Sequence, residues 1–106
     1  MNYEEAIALM KKAKNPSKGK PIANNTRLHT CLDGSFEIKL HGHPIITIHP
    51  NHITLDSCGY KTVTTKARMN QFTPFKVFQH KHIWYVTLMK GLCETFYDGI
   101  KLEVKE

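Results

Sequence analysis

A chain of 106 residues, 41% hydrophobic and 23% charged, has the size and make-up of one globular domain, able to bury roughly 60–65% of its unfolded surface in one modest core. It has no run of about 18 apolar residues, which excludes a membrane-spanning helix, and its cysteines, Cys31, Cys58 and Cys93, are odd in number and form no CxxC motif, which argues against a disulfide framework and for a reducing compartment. A net charge of +6 with neutral histidines favours anionic partners: nucleic acid, nucleotides or an acidic protein face.

Met1-Asn2-Tyr3-Glu4-Glu5 lacks the basic-then-apolar order of a signal peptide, so a cytoplasmic location is expected. Residues 3–13 are predicted to form a helix, because Ala6, Ile7 and Met10, with Leu9 beside them, recur at i, i+3 and i+4 spacing. Glu4 and Glu5 in the first turn and Lys11, Lys12 and Lys14 at the end complement the helix dipole. Asn15-Pro16 stops the helix. The segment from Lys14 to Pro21 reads as a basic linker, which would make the helix a loosely docked arm. The division expected is therefore an N-terminal helix and basic linker over residues 1–21 and a single α+β domain over 22–106.

Strands are predicted at Thr26–Leu32, Ser35–His41, Ile45–His49 and Ile53–Asp56, with Asp33-Gly34 as a hairpin turn and Gly42-His43-Pro44 and Pro50-Asn51-His52 as breaks. Their short connections imply an antiparallel meander. A short helix follows, capped by Thr64 or Thr65, running to about Phe72 and ended by Pro74. Lys76–Gln79 and His82–Leu88 form a second hairpin, Met89–Tyr97 is ambiguous, and Asp98-Gly99 turns into a last strand over Ile100–Val104. The fold class expected is α+β: a twisted antiparallel sheet of five to seven strands, an N-terminal helix and a short helix after the fourth strand.

The stretch from Ser57 to Gln71 concentrates polar groups that no apolar period explains. Tyr60, Lys61, Thr62, Thr64, Thr65, Lys66, Arg68 and Asn70 gather around a helix start, where free backbone N–H groups carry partial positive charge and anions settle readily. Threonine hydroxyls add donors, Lys66 and Arg68 add charge-assisted bonds, and Gly59 permits close approach of a ligand. Tyr60, if exposed, stacks on a base beside a phosphate. The alternative is that Thr62, Thr64 and Thr65 close a capping network, Lys66 and Arg68 line a solvated helix face, and Tyr60 is packing. The Walker P-loop spacing is absent.

His41, His43, His49 and His52 fall within a span of twelve residues and are the metal-ligand candidates, with Cys58 or Asp56 as a further ligand. Their spacing matches no standard zinc finger, and surface or partly buried hairpin histidines account for them better than a metal site does. Cys58 before Gly59, with histidines near, can be drawn as a Cys/His nucleophile pair, without an oxyanion signature to support it. The carboxylates are scattered and form no catalytic pair.

Asn24-Asn25-Thr26-x-Leu28, Asp33-Gly34-Ser35, Leu40-His41-Gly42, Ile46-Thr47, Leu55-x-Ser57-x-Gly59-Tyr60-x-Thr62-x-Thr64-Thr65-Lys66-x-Arg68-Met69-Asn70, Trp84-Tyr85-Val86 and Asp98-Gly99 together resemble a widespread family of small uncharacterised bacteriophage proteins. The resemblance spans Ala23 to Ile100 and leaves the N-terminal helix and its linker outside. Gly-Gly-Trp is common in that family where this chain has Cys58-Gly59-Tyr60. The resemblance implies a phage-encoded protein acting inside a bacterium, and it attaches no activity to these residues.

The function expected is non-enzymatic: binding that antagonises a host defence system, through a nucleotide, nucleic acid or the nucleic-acid-binding surface of a host effector. The partners expected are an anionic ligand, nucleic acid or a host defence protein, with no membrane and no cofactor. Two other classes compete: a metal-dependent enzyme, such as a nuclease using the histidine cluster, and a protein-interaction module whose basic helix, Asn2–Lys14, docks on an acidic partner.

Overall fold

A computed structural model of the chain describes residues 1–88 and 91–104. In chain order the elements are α1 (Tyr3–Lys11), a 3-10 turn (Pro16–Lys18), β1 (Lys20–Ala23), β2 (Thr26–Thr30), β3 (Phe36–Leu40), β4 (His43–Ile48), β5 (His52–Leu55), α2 (Val63–Phe72), β6 (Lys76–His80), β7 (Ile83–Thr87), β8 (Cys93–Thr95) and β9 (Ile100–Glu103). Every strand pairing described is antiparallel. The class is α+β, with the strands divided between a six-stranded sheet, ordered β1-β2-β3-β4-β5-β9, and a three-stranded sheet, β6-β7-β8. The division follows from β9, which pairs along β5 from His52↔Glu103 to Leu55↔Ile100. With that edge occupied, the second hairpin builds its own sheet.

The inner face of the large sheet supplies most of the core. Leu28, Ile38, Ile46, Ile48, Ile53 and Leu55 are buried to within about one per cent and alternate with half-exposed or exposed polar residues, as one covered face requires. Met69 of α2 and Ala6 of α1 reach the same core with no exposed surface. Between β3 and β4 the register slips, since Ile38 faces Ile46 but Lys39 faces Pro44. Ile45 is thereby left unpaired as a bulge, so consecutive residues Ile45 and Ile46 are both buried.

Several elements differ from expectation. α1 is no loose arm. The Met1 ammonium donates to the Phe72 carbonyl at 2.7 Å, the Tyr3 hydroxyl donates to the Gly34 carbonyl at 2.7 Å, and Tyr3 meets Phe36 edge to face at 5.3 Å. Asn2 starts it with a capping box to Glu5, and it ends at Lys11 rather than residue 13. The linker holds a strand: β1 lies at the sheet edge, one of the few places where a sheet tolerates a proline such as Pro21. β4 starts at His43 and runs through Pro44. α2 is capped by Thr62, not by Thr64 or Thr65, because Thr62 has extended backbone and its hydroxyl accepts from the Thr65 N–H. In the ambiguous stretch Cys93–Thr95 pairs with β7, while Met89 and Lys90 lie outside the described residues. No helix among the described residues is long and apolar enough to cross a membrane.

Candidate functional site

The connection from β5 to α2 is held by two local hydrogen bonds and one to the distant Asp98. Asp56 Oδ1 accepts from the Cys58 N–H at 2.7 Å, Asp98 Oδ1 accepts from the Ser57 N–H at 2.8 Å, and the Ser57 carbonyl accepts from the Tyr60 N–H at 2.8 Å. These bonds hold Cys58 at φ +54° and Gly59 at φ +81°, two successive left-handed residues that reverse the chain and project Tyr60 outward. The turn therefore comes from two buttressing aspartates rather than from glycine alone.

Tyr60 is 54% exposed, and its ring lies 4.7 Å from that of His43, tilted by 33°. Together they form one wall of a cleft of about 340 Å³, completed by His41, Ser57, Thr62, Thr64 and Thr65 over an apolar floor of Leu40 and Ile45. The start of α2 opens onto it. The first turn carries no acid, and among the described residues no acceptor takes the Val63 or Thr64 N–H. Such groups are the donors that an anion satisfies.

The eight residues singled out in the sequence do not share one surface. Tyr60, Thr62, Thr64 and Thr65 surround the cleft. Within it the Thr62 hydroxyl is engaged by the Thr65 N–H at 3.1 Å, and the buried Thr65 hydroxyl donates to the Tyr60 carbonyl at 2.9 Å, which leaves Thr64 as the exposed hydroxyl. Lys61 and Lys66 turn toward the small sheet, their ammonium groups 5.9 and 5.5 Å from the Trp84 ring centroid, and Lys66 also donates to Gln79 at 3.2 Å. Arg68 latches α2 to the β1–β2 turn through Thr26 Oγ1 at 3.0 Å and the Asn24 carbonyl at 3.3 Å. Asn70 bonds the backbone of Val77.

The histidines also divide. His41 and His43 belong to the cleft. His49 and His52 stack on each other at 4.2 Å beyond the other end of β4, roughly 20 Å away at the rise of an extended strand. Among the described residues no three His, Cys, Asp or Glu side chains converge as a metal site. The Cys58 thiol donates to the Pro44 carbonyl at 3.4 Å. Burial raises its pKa, and the Asp56 and Asp98 carboxylates push the same way, the reverse of what activates a cysteine nucleophile.

The role of His43 as Tyr60's partner is the feature sequence reasoning missed. His41-x-His43 was visible as a pair, but facing Tyr60 depends on the β4 bulge, for which the sequence gives no signal beyond Pro44.

A family model described as Kyanoviridae Gp96 protein matches residues 4–103, and the chain belongs to this bacteriophage protein family. The match takes in α1 and the segment leading to β1, which the resemblance in the sequence had left outside. No curated protein matches the chain, and no solved structure does.

Proposed function

From membership of that phage family we propose that the chain works inside the bacterial host as a non-enzymatic binding protein that antagonises a defence system, with the cleft at the start of α2 as its contact for nucleic acid. The observation that carries this reading is the pairing of a half-exposed Tyr60, backed by His43, with the unsatisfied N–H group of Thr64 in one cleft. A base stacks on Tyr60, and a phosphate meets the helix start and the Thr64 hydroxyl.

Magnitudes select among the anionic partners. Stacking of one base contributes about 1–3 kcal/mol, and an anion at a helix start about 0.3–1 kcal/mol. Their sum corresponds to millimolar affinity or weaker. A free mononucleotide is therefore a poor ligand, whereas a single strand that adds phosphate contacts along a basic surface gains further affinity. The same reasoning extends to an effector-bound nucleic acid.

The test is fluorescence anisotropy with labelled single-stranded DNA and RNA, competed with mononucleotides, over a salt series. Binding to the strands that weakens with salt, and falls in Tyr60→Ala, supports the reading. Absence of binding to DNA, RNA and nucleotides at low salt overturns it and leaves a host protein as the target.

A further inference from the structure

The outer face of the large sheet carries a feature independent of the cleft. Alternation along β2 and β3 places Asn25, Arg27 and His29 on that face, beside Lys39 and His41. Arg27 lies directly opposite Lys39 in the ladder. On the two flanking strands the partners are prolines, Pro21 opposite Arg27 and Pro44 opposite Lys39. The row across four strands thus reads Pro-Arg-Lys-Pro, with two adjacent cations and no long side chain on either side to cover or neutralise them.

Like charges set directly opposite oppose strand pairing, and the surrounding fold does little to relieve this pair. Arg27 donates to the Lys18 and Gly19 carbonyls at 3.3 Å, holding the guanidinium in place without cancelling its charge. Glu37 belongs to the next row, opposite His29. A concavity of about 220 Å³ opens over the pair, lined by Asn25, Arg27, His29, Lys39, His41 and Gly42, with no carboxylate among the lining residues. The His29 pKa is lowered, by burial first and then by Lys39, with Glu37 pulling the other way and Arg27 adding to the lowering.

We propose that this concavity is an oxyanion site that takes a phosphate group, held by the Arg27 guanidinium and the Lys39 ammonium with His29, His41 and Asn25 as surrounding donors. Two cations without a carboxylate among the lining residues suit a phosphate or one phosphodiester unit. An immobilised guanidinium presents a planar fork that matches two phosphate oxygens, and lysine supplies a second point charge. The site is distinct from the α2 cleft but shares His41 with it at the rim. The phosphate can therefore be a free anion or one link of a strand that continues into the cleft.

Nitrogen-15 NMR titration of the full chain at low salt, with inorganic phosphate, pyrophosphate and an oligothymidylate in turn, tests the site. Saturable shifts are expected at Arg27, His29, Lys39 and His41. The Lys39 side chain makes no hydrogen bond among the described residues, so Lys39→Gln is the clean variant. It should melt no lower than wild type, since it relieves the Arg27–Lys39 repulsion, and weaken these shifts by roughly fivefold, the ceiling for one exposed charge pair. Oligothymidylate binding much tighter than pyrophosphate, with Tyr60 shifting at the same time, assigns the phosphate to a strand; equal affinities assign it to a free anion. Tyr60→Ala should leave the Lys39 shifts with phosphate intact, so failure of the cleft and failure of this site read out separately. Absence of saturable shifts at Arg27 and Lys39 with all three probes, or a folded Lys39→Gln that binds as wild type does, overturns the proposal.

Discussion

Asn70 holds Val77 by both of its backbone polar atoms. Its amide donates to the Val77 carbonyl at 3.0 Å, and its carbonyl oxygen accepts from the Val77 N–H at 2.6 Å. β6 lies at an edge of the small sheet, so this side chain takes the place of a neighbouring strand at Val77 and ties α2 to the sheet. Asn70→Ala leaves both backbone groups without that partner and is expected to destabilise the fold by about 1–3 kcal/mol. Asn70→Asp keeps the acceptor and loses the donor, so it should fall between. Urea unfolding of the variants, with unchanged m-values, measures this; an Asn70→Ala variant as stable as wild type would show that the clamp contributes nothing.

Gly19 is the second position where the backbone decides. Its φ is +76°, and a Cβ built there would lie 2.7 Å from the His29 ring and 2.7 Å from the Leu28 carbonyl. A ring can swing aside, but a carbonyl in a ladder cannot, so strain from conformation and from contact add. Gly19→Ala should lower stability by about 1–3 kcal/mol, whereas Gly42→Ala, equally left-handed but with nothing within 4 Å, should lose less. Thermal melts of the two variants side by side check the ordering.

Most of the fold was legible because it follows alternation. Phe36, Ile38 and Leu40 against Glu37, Lys39 and His41 define a half-buried strand, and Asp33-Gly34 marks where it turns. What local pattern could not show was the pairing of distant strands: β9 on β5, the small sheet as a separate unit, and β1 emerging from a proline- and lysine-rich stretch that lacks strand propensity. The candidate site was legible as a place more than as a set of contacts. The polar residues after Tyr60 do surround a helix start. The sequence could not reveal that Arg68 and Asn70 bond partners 42 and 7 positions away, or that Lys66 turns to Trp84. A threonine that caps and a threonine that binds look the same until the helix start is known. Here it falls at Thr62, which leaves Thr64 as the free hydroxyl.

Stability should fall as pH drops through 6.5. The pKa values of His29 and His52 are both lowered from 6.5, chiefly by burial. Lys39 adds to the effect on His29 and His49 to that on His52. The folded state therefore binds protons less readily than the unfolded chain at these positions. Their contribution is fully present above the unfolded pKa and is lost as pH falls toward the lowered folded values. Other shifted groups act elsewhere. Asp33, lowered from 3.8 by the Ser35 hydroxyl and N–H, matters only in stronger acid, and Cys31 and Cys58, raised from 9.0 by burial, matter only in alkali. Melting temperatures from pH 8 to 5 in wild type and in the His29→Gln/His52→Gln double variant test this. A decline that persists unchanged in the double variant would remove these two imidazoles as its cause.

Thr64→Glu separates binding from stability by giving them opposite signs. Thr64 is the second residue of α2, exposed, in a first turn that carries no acid. A carboxylate there complements the helix dipole and should stabilise the chain by about 0.3–1 kcal/mol. The same carboxylate occupies the N–H groups proposed to receive phosphate and repels its charge. Thr64→Glu is therefore expected to melt higher than wild type while binding single-stranded DNA more weakly, and Thr64→Gln, which adds bulk without charge, should do neither to the same degree. Differential scanning fluorimetry and anisotropy on the same preparations give both readings. A stabilised Thr64→Glu that binds as well as wild type would show that no anion sits at the start of α2, even if the strand binds elsewhere on the protein.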